Sequence, residues 1–239
     1  MKHIPNFITS LNLVSGFIAI IFAAGGNIVT ASWLILAAMI FDFLDGFLAR
    51  LLKAYSAIGK ELDSLADVVS FGVAPGLIIY QLLINSASMS IPVNLSTINL
   101  TGILFVIIPA IMAVCAAIRL AVFNLDSTQA ISFKGLPTPA NALAVISVII
   151  GGHYSHSALF DSFTSSPLLL MIFSVILSIL MVSRIPLLSL KVAHLKLKGN
   201  EGRYILLGLV VIAFVIFGPL AIPLVIPLYI ISSLISLFF

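Results

Sequence analysis

The chain has 239 residues, of which 62% are hydrophobic and only 8% are charged, and its net charge is +3. Soluble domains contain about 45–50% apolar residues, so this composition excludes an ordinary soluble protein and indicates an integral membrane protein. The small positive charge does not indicate a nucleic-acid-binding protein. The single cysteine, Cys115, excludes an intrachain disulfide.

Apolar runs long enough to cross a bilayer recur along the whole chain, and each predicts a transmembrane helix. In chain order they cover residues 7–25, 28–48, 62–84, 101–122, 136–152, 167–190, 204–218 and 220–239. No cleavage site of small residues follows the first run, so we expect a helix there rather than a signal peptide. The pattern predicts a single all-α domain, residues 1–239, that forms a bundle of about eight transmembrane helices.

The last two runs are interrupted by Gly218, Pro219, Pro223 and Pro227. Proline breaks helices because it lacks a backbone N–H group. This region is therefore either two short helices joined by a tight turn or one long broken helix. Both seven and eight spans fit the pattern.

The basic residues predict an orientation. With eight spans, every Lys and Arg falls on one side of the membrane, whereas loops 85–100 and 151–166 on the other side carry only Asp161 as a charge. By the positive-inside rule the basic side is cytoplasmic, and the amino terminus lies there. We expect a multi-pass protein of the inner, cytoplasmic membrane that contacts anionic lipid headgroups and binds no nucleic acid. The basic residues are Lys2, Arg50, Lys53, Lys60, Arg119, Lys134, Arg184, Lys191, Lys196, Lys198 and Arg203.

Four aspartates are concentrated around one predicted turn. Asp42 and Asp45 lie three residues apart near the end of the second span, and Asp63 and Asp67 lie four apart in the third, so each pair shares a helix face. The polar connection KAYSAIGKE, residues 53–61, is short enough to make the two helices antiparallel neighbours. The two pairs are therefore predicted to face each other at similar depth.

Four carboxylates this close cannot all stay ionised unless a positive charge lies among them. Oxygen-only ligands suit Mg²⁺ or Mn²⁺, and two such ions about 3.5–4 Å apart would balance the charge and bind a pyrophosphate. Gly46 and Ala49 carry almost no side chain, which lets a ligand approach the helix backbone. The alternatives are acids that pair with Arg50, Lys53 and Lys60, or an ion or proton pathway of a transporter.

The same stretch forms a pattern of fixed spacing, with aspartates at 42, 45, 63 and 67, glycines at 46 and 59, and Ala-Arg at 49–50. At every fixed position it resembles the signature of the CDP-alcohol phosphatidyltransferase family. DSLADVVSFGVAPG (63–76), IRLAVFN (118–124), FKGLPTPANA (133–142) and the opening IPNFITSLNLVSG resemble the phosphatidylserine synthase branch of that family. Val122 is a departure, because that branch usually carries a basic residue there.

The resemblance implies a reaction and an architecture. It implies that the phosphatidyl group of CDP-diacylglycerol is transferred to the hydroxyl of L-serine and that CMP is released. It also implies a six-helix core over about residues 1–190, with additional helices over 191–239, and a homodimer. These implications are expectations for the structure.

The resemblance also implies roles for the aspartates. Asp42, Asp45 and Asp63, with Asp67 beside them, are expected to hold the Mg²⁺ or Mn²⁺ ions that bind the CDP pyrophosphate. Asp67 is also expected to take the proton from the acceptor hydroxyl, since a serine hydroxyl is a poor nucleophile at neutral pH.

Other residues are candidates for substrate contacts. Asn6 and Thr9 match family positions beside the nucleotide, with helix capping after Pro5 as the alternative. Nucleotide or phosphate contacts are also expected from Gly46, Ala49, Arg50 and Gly59, although Arg50 could instead extend to the headgroups.

Arg119 interrupts an apolar helix and must find an anion, which is a substrate phosphate, the serine carboxylate or one of the aspartates. Lys134 precedes the predicted turn GLPTP and is either a ligand of the serine carboxylate or an ordinary basic residue of the cytoplasmic side. Ser70 and Asn124 are candidates for hydrogen bonds near the acceptor.

Two other functions remain as alternatives. The same chemistry with glycerol 3-phosphate or inositol phosphate as acceptor calls for a denser basic pocket than Arg119 and Lys134 provide. A cation-coupled or proton-coupled transporter calls for polar residues that continue toward the other face and for internal repeats, neither of which the sequence shows.

Overall fold

The computed structural model describes residues 3–87, 100–125, 133–155, 157–188 and 200–236. The helical elements in chain order are α1 (His3–Ala24), α2 (Ile28–Leu51), α3 (Ala57–Asp67), a π-helical segment (Val68–Val73), α4 (Ala74–Ser86), α5 (Leu100–Leu125), α6 (Thr138–Ser155), α7 (Ala158–Thr164), α8 (Pro167–Val182), α9 (Glu201–Phe217), a 3-10 segment (Gly218–Leu224) and α10 (Val225–Ile235). Two-residue strands β1 (Phe133–Lys134) and β2 (Pro186–Leu187) pair in antiparallel fashion. The predicted all-α architecture is confirmed for these ranges. Of the basic residues, Lys2, Lys191, Lys196 and Lys198 lie outside them.

Four helical stretches are long and apolar enough to span a membrane: His3–Ala24, Ile28–Leu51, Ala57–Ser86 and Leu100–Leu125. Helices α7 and α8 meet at 81° and together form a fifth candidate, either a broken span or a re-entrant loop. The chain is therefore a membrane protein, as predicted. The number of eight spans and the cytoplasmic amino terminus stay predictions, because α9 and α10 have 17 and 11 residues, and a crossing takes about 20.

The π-helical segment joins α3 and α4 into one helix and begins directly after Asp67. Such wide turns are frequent at functional sites because they alter the main-chain hydrogen bonding. Asn141 on α6 donates a hydrogen bond of 3.0 Å to the main-chain oxygen of Phe71 in this segment. Helix α5 also packs closely here, because a Cβ at Gly72 would lie 2.8 Å from the Ala116 Cβ.

Helix α1 packs along α2 through small residues. Ala19, Ala23, Ala31 and Ala38 are fully buried, and side chains of this size let two helices approach closely in a membrane. Helix α1 also contacts α3, the π-helical segment and α4, while α2 contacts the π-helical segment and α4. The predicted second and third spans are therefore neighbours, with α1 packed against both.

The C-terminal elements fold back against Leu188, the residue after β2. Gly218 adopts a φ of +55°, and the 3-10 segment then connects α9 to α10. Helix α10 is hydrogen-bonded to Leu188: the Leu188 N–H group donates to Ser233 Oγ at 3.1 Å, and the Tyr229 hydroxyl donates to the Leu188 carbonyl at 2.9 Å. Of the two predicted arrangements, two short helices joined by a turn is the one observed.

Candidate active site

Three carboxylates from two helices converge. One oxygen atom each of Asp42 on α2 and of Asp63 and Asp67 on α3 lies within 4.8 Å of the other two. Asp67 is only 7% exposed, and Asp42 and Asp63 are half-buried. Like charges at this separation, shielded from water, require a cation or protons among them. The predicted meeting of acids from the second and third spans is confirmed for these three residues.

Asp45 lies one turn further along α2 and outside this group of three. It is 5% exposed, and its carboxylate interacts with the Thr9 side chain on α1. It lines the same cavity as Asp42 and Asp63. The structure therefore places the predicted fourth ligand beside the cluster, and its role as a metal ligand stays a prediction.

The cluster has the chemistry of a site for a hard divalent cation. The Asp45 Oδ2 and Asp63 Oδ1 atoms are buried and have no hydrogen-bond partner. Buried anionic oxygens without donors are costly, and a metal ion would satisfy them. The group of ligand atoms consists of carboxylate oxygens alone. These residues therefore fit a divalent metal ion.

Asn12 on α1 is a member of the site that the sequence analysis did not single out. It is fully buried, and its side-chain N–H group donates to Asp67 Oδ1 at 3.3 Å. The Ser70 hydroxyl donates to the Asn12 main-chain oxygen at 3.1 Å, which fixes α1 against the π-helical segment. A Cβ at Gly16, one turn further along α1, would overlap Ser70. Close packing of two elements therefore sets the contact between Asn12 and Asp67.

A cavity of about 950 Å³ opens beside the carboxylates. Its acidic wall contains Asp42, Asp45 and Asp63. The part of the lining that comes from α6, Leu188, α9 and α10 is apolar apart from Tyr229. A volume of this order is typical of a site that encloses a small-molecule ligand. A second cavity, of about 630 Å³, is lined by apolar side chains alone and offers no acid–base chemistry.

Residues 2–182 match the model of the CDP-alcohol phosphatidyltransferase family. The chain belongs to this family. It is 34% identical to a CDP-diacylglycerol–serine O-phosphatidyltransferase of Helicobacter pylori, over 98% of this chain and 91% of that protein. It is 36% identical to a protein of the same name from Bacillus subtilis, over 84% of this chain and 96% of that protein. An archaetidylserine synthase of Methanothermobacter thermautotrophicus is 34% identical, over 64% of this chain and 60% of that protein.

The two glycines of the phosphatidyltransferase signature have different surroundings. A Cβ at Gly59 would lie 2.8 Å from Asn6 Oδ1 and 2.9 Å from Ser56 Oγ, so α1 packs directly on the start of α3. A Cβ at Gly46 would meet only Arg50, at an ordinary 3.5 Å, because Gly46 lines the open cavity. Gly59 is therefore needed for packing, whereas Gly46 leaves room beside the acids.

The other residues predicted to contact nucleotide or phosphate lie around the same end of α2. Arg50 is exposed and lines the cavity, and Ala49 is half-buried beside it. Thr9 is buried, and its hydroxyl donates to the Pro5 carbonyl at 3.1 Å while the side chain also interacts with Asp45. The nucleotide contacts of these residues and of Asn6 stay predictions.

Arg119 is a buried cation on α5. Its side chain is 7% exposed, and its Nε and Nη2 atoms have no hydrogen-bond partner. The guanidinium lies 5.9 Å from the centre of the Phe123 ring and interacts electrostatically with Tyr229 and Asp67. Within the described residues no ion pair joins it to an aspartate. Its unused donors therefore suit an anionic group of a ligand.

The remaining candidates for the acceptor have structural partners. Ser70 is fully buried against Asn12 and does not line the cavity. The Asn124 side chain donates to the Ser64 hydroxyl at 2.8 Å, and its main-chain oxygen accepts a hydrogen bond from Lys60 at 2.9 Å. The hydrogen bonds of both residues join neighbouring helices to the helix that carries Asp63 and Asp67. Direct contact of either residue with the acceptor stays a prediction. For Lys134 the structure describes the main chain, which pairs with Pro186.

Sequence reasoning missed Asn12, Asn141 and Tyr229. A signal existed for the two asparagines, since each is a polar residue in a family-like segment of an apolar helix, where an amide must find a partner. Tyr229 gave no such signal, because it lies in a C-terminal region that resembles no motif. Residues beyond 190 were expected only to add helices, yet Leu206, Val225, Ile226 and Tyr229 form part of the cavity wall.

Proposed function

We propose that this protein is a CDP-diacylglycerol–serine O-phosphatidyltransferase, which transfers the phosphatidyl group to L-serine and releases CMP. The observation that carries the proposal is the convergence of Asp42, Asp63 and Asp67, whose carboxylate oxygens lie within 4.8 Å of one another in the signature of a phosphatidyltransferase family. The Helicobacter relative with this name covers 98% of the chain. The transporter alternative finds no comparable support.

Serine is favoured as the acceptor. The names of the bacterial and archaeal relatives all include serine, although the archaeal name refers to a different lipid. Glycerol 3-phosphate or inositol phosphate would bring an additional phosphate into the cavity. Among the described residues that line the cavity, Arg50 is the basic side chain, with Arg119 buried nearby. This supply of positive charge suits a small zwitterion better than a phosphorylated acceptor.

The proposed cofactor is Mg²⁺ or Mn²⁺, as two ions. The family depends on divalent metal ions, and the carboxylate-only donor set suits these hard cations. Asp42, Asp63 and Asp67 would hold them, with Asp45 as the additional ligand. When bound, the ions offset the negative charge of the pyrophosphate and of the departing CMP.

Asp67 is the proposed general base. Asn12 donates to its Oδ1 atom, which orients the carboxylate and leaves Oδ2 to accept a proton. As the proton passes from the serine hydroxyl to Asp67, the serine oxygen forms a bond to the phosphorus of the phosphatidyl group, and the bond from that phosphorus to CMP breaks. The group of converging ligand atoms contains no Cys or His, so a direct transfer fits the site.

The nucleotide is proposed to lie at the turn between α2 and α3. There the first turns of α1 approach the signature, and Gly46 leaves the helix backbone open to a ligand. The residues proposed to contact the nucleotide or its phosphates are Asn6, Thr9, Gly46, Ala49, Arg50 and Gly59. Arg119 is proposed to bind the serine carboxylate, with Lys134 as a second basic group, while Ser70 and Asn124 hold the surrounding helices in place.

We also propose that the active site faces the cytoplasm and that the protein is a homodimer in the cytoplasmic membrane. Arg50, Lys53 and Lys60 surround the signature turn, and basic residues favour the cytoplasmic side. The homodimer is proposed from the family, and no helix is assigned to its interface.

The test is release of CMP from CDP-diacylglycerol by the purified protein. We expect release with L-serine but not with glycerol 3-phosphate or inositol phosphate. A chelator should abolish it, and added Mg²⁺ or Mn²⁺ should restore it. Equal rates with a phosphorylated acceptor would overturn the assignment of serine, and full activity in the chelator would overturn the metal site.

A further inference from the structure

The C-terminal part of the chain contributes to the cavity. The family match ends at residue 182, yet the cavity lined by three of the four aspartates is also lined by Leu188, Leu206, Val225, Ile226 and Tyr229. Four of these five side chains are apolar. Among the described residues after 182, Tyr229 is therefore the polar side chain on the cavity wall.

The Tyr229 side chain is held in a fixed position. It is 4% exposed, and its hydroxyl donates to the Leu188 carbonyl at 2.9 Å. Leu188 N–H in turn donates to Ser233 Oγ, and the Ser233 hydroxyl donates to the Tyr229 carbonyl at 2.6 Å. These three hydrogen bonds close a ring between α10 and Leu188. The phenolic proton is donated to Leu188 and the Ser233 side chain also lies beside the phenol, so the oxygen keeps one lone pair for a hydrogen bond from another group.

Arg119 and Tyr229 offer complementary groups. Arg119 has unused N–H donors, and its guanidinium interacts electrostatically with Tyr229 and with Asp67, the proposed base. Among the described residues, no direct hydrogen bond joins the guanidinium to the phenol, so the free N–H groups of Arg119 and the phenolic oxygen of Tyr229 are both available to a ligand. N–H donors and a neighbouring oxygen acceptor match the carboxylate and the ammonium group of an amino acid.

We propose that Tyr229 is a specificity residue of the acceptor subsite, where its phenolic oxygen accepts a hydrogen bond from the ammonium group of the amino-acid acceptor while Arg119 binds the carboxylate. This proposal rests on the proposed function. It assigns the C-terminal helix, which lies beyond the family match, a part in the choice of acceptor. Because the acceptor is held at both of its charged groups, its hydroxyl can be directed toward Asp67.

The test compares Tyr229→Phe with wild type in CMP release, with serine and CDP-diacylglycerol varied separately. A hydrogen bond to a charged group is worth about 1.5–3 kcal/mol, so we expect the KM for serine to rise about ten- to a hundredfold. The KM for CDP-diacylglycerol should not change. Inhibition by 3-hydroxypropionate, which is serine without its amino group, should be equally strong in both proteins. Tyr80→Phe is the matched control, because Tyr80 packs against the core outside the cavity and should leave all these constants unchanged.

The outcomes separate this proposal from the proposed function. Wild type that does not release CMP with serine overturns the function itself. If the wild-type protein releases CMP with serine but the Tyr229→Phe variant keeps a KM for serine within twofold of wild type, only the role of Tyr229 is overturned. An equal rise in the KM of both substrates, or equal weakening of 3-hydroxypropionate, also overturns it, because either result indicates a general structural effect.

Discussion

Asp67 differs from Asp42 and Asp63, the other two converging aspartates, in how it is held. It is the most enclosed of the three converging carboxylates, and it accepts a hydrogen bond from Asn12. Asp42 lines the open cavity and has no such support from α1. The difference favours a fixed base at Asp67 and a ligand-facing role for Asp42.

Asp67→Asn tests this division. An amide cannot take the proton of the acceptor, and a general base contributes about 10²–10⁴-fold to the rate, so we expect turnover to fall by at least about 10²-fold. Calorimetric titration with CMP in the presence of Mg²⁺ should still show binding. Asp42→Asn is the comparison, and it should lose both binding and turnover. Continued CMP release by the Asp67 variant would show that another group is the base.

Asn12→Ala tests whether the hydrogen bond to Asp67 matters for the reaction. Loss of a hydrogen bond to a charged group costs about 1.5–3 kcal/mol, so we expect kcat to fall about tenfold or more with little change in either KM. Ser32→Ala is the control, since Ser32 is also fully buried on a neighbouring helix but bonds only to Ile28 of its own helix. A rate equal to that of the control variant would argue against a role for Asn12.

At the scale of elements, the approach of α1 to the π-helical segment decides the geometry of the site. Asn12 and Gly16 lie one turn apart on the face of α1 that meets Ser70. The small side chain at 16 allows the contact, and the hydrogen bond from Ser70 fixes it. Any displacement of α1 would therefore move Asn12 away from Asp67.

Gly16→Ala is expected to lower both thermal stability and activity. Its Cβ would lie 2.8 Å from the Ser70 Cα atom, and overpacking of this kind costs about 1–3 kcal/mol. Gly208→Ala on α9 is the matched control, because nothing lies within 4 Å of a Cβ there and alanine favours a helix. Thermal unfolding in detergent and CMP release measure the two effects. Equal behaviour of the two variants would contradict the close packing at Gly16.

At the scale of the whole molecule, the basic residues around the signature turn predict that this end of the bundle faces the cytoplasm. In a background in which Cys115 is replaced by alanine, single cysteines at Tyr55 and Ser162 report on the two sides, because both positions are exposed. A membrane-impermeant maleimide should label Ser162→Cys in intact cells and Tyr55→Cys only after the membrane is opened. The reverse pattern would place the signature turn outside the cytoplasm.

Sequence patterns alone were enough to predict a membrane protein, its all-helical architecture and the meeting of acids from the second and third spans. Composition and the length of the apolar runs are enough for a membrane assignment, because a bilayer excludes unpaired backbone groups and thereby favours helices. The spacing of Asp42, Asp63 and Asp67 along helices of fixed pitch predicted their convergence. Helix periodicity and turn length were enough to predict these features, because each feature depends on a single helix or on one short turn.

The residues from distant parts of the chain that surround the aspartates became evident only from the packing of the helices. Asn12 meets Asp67, and Tyr229 on α10 lines the cavity, through packing between helices that are far apart in sequence. Asp45 shares the helix face of Asp42 yet lies outside the group of three, because converging ligands depend on side-chain direction as well as on spacing. Helical periodicity defines which residues share a face, but side-chain packing determines what that face contacts.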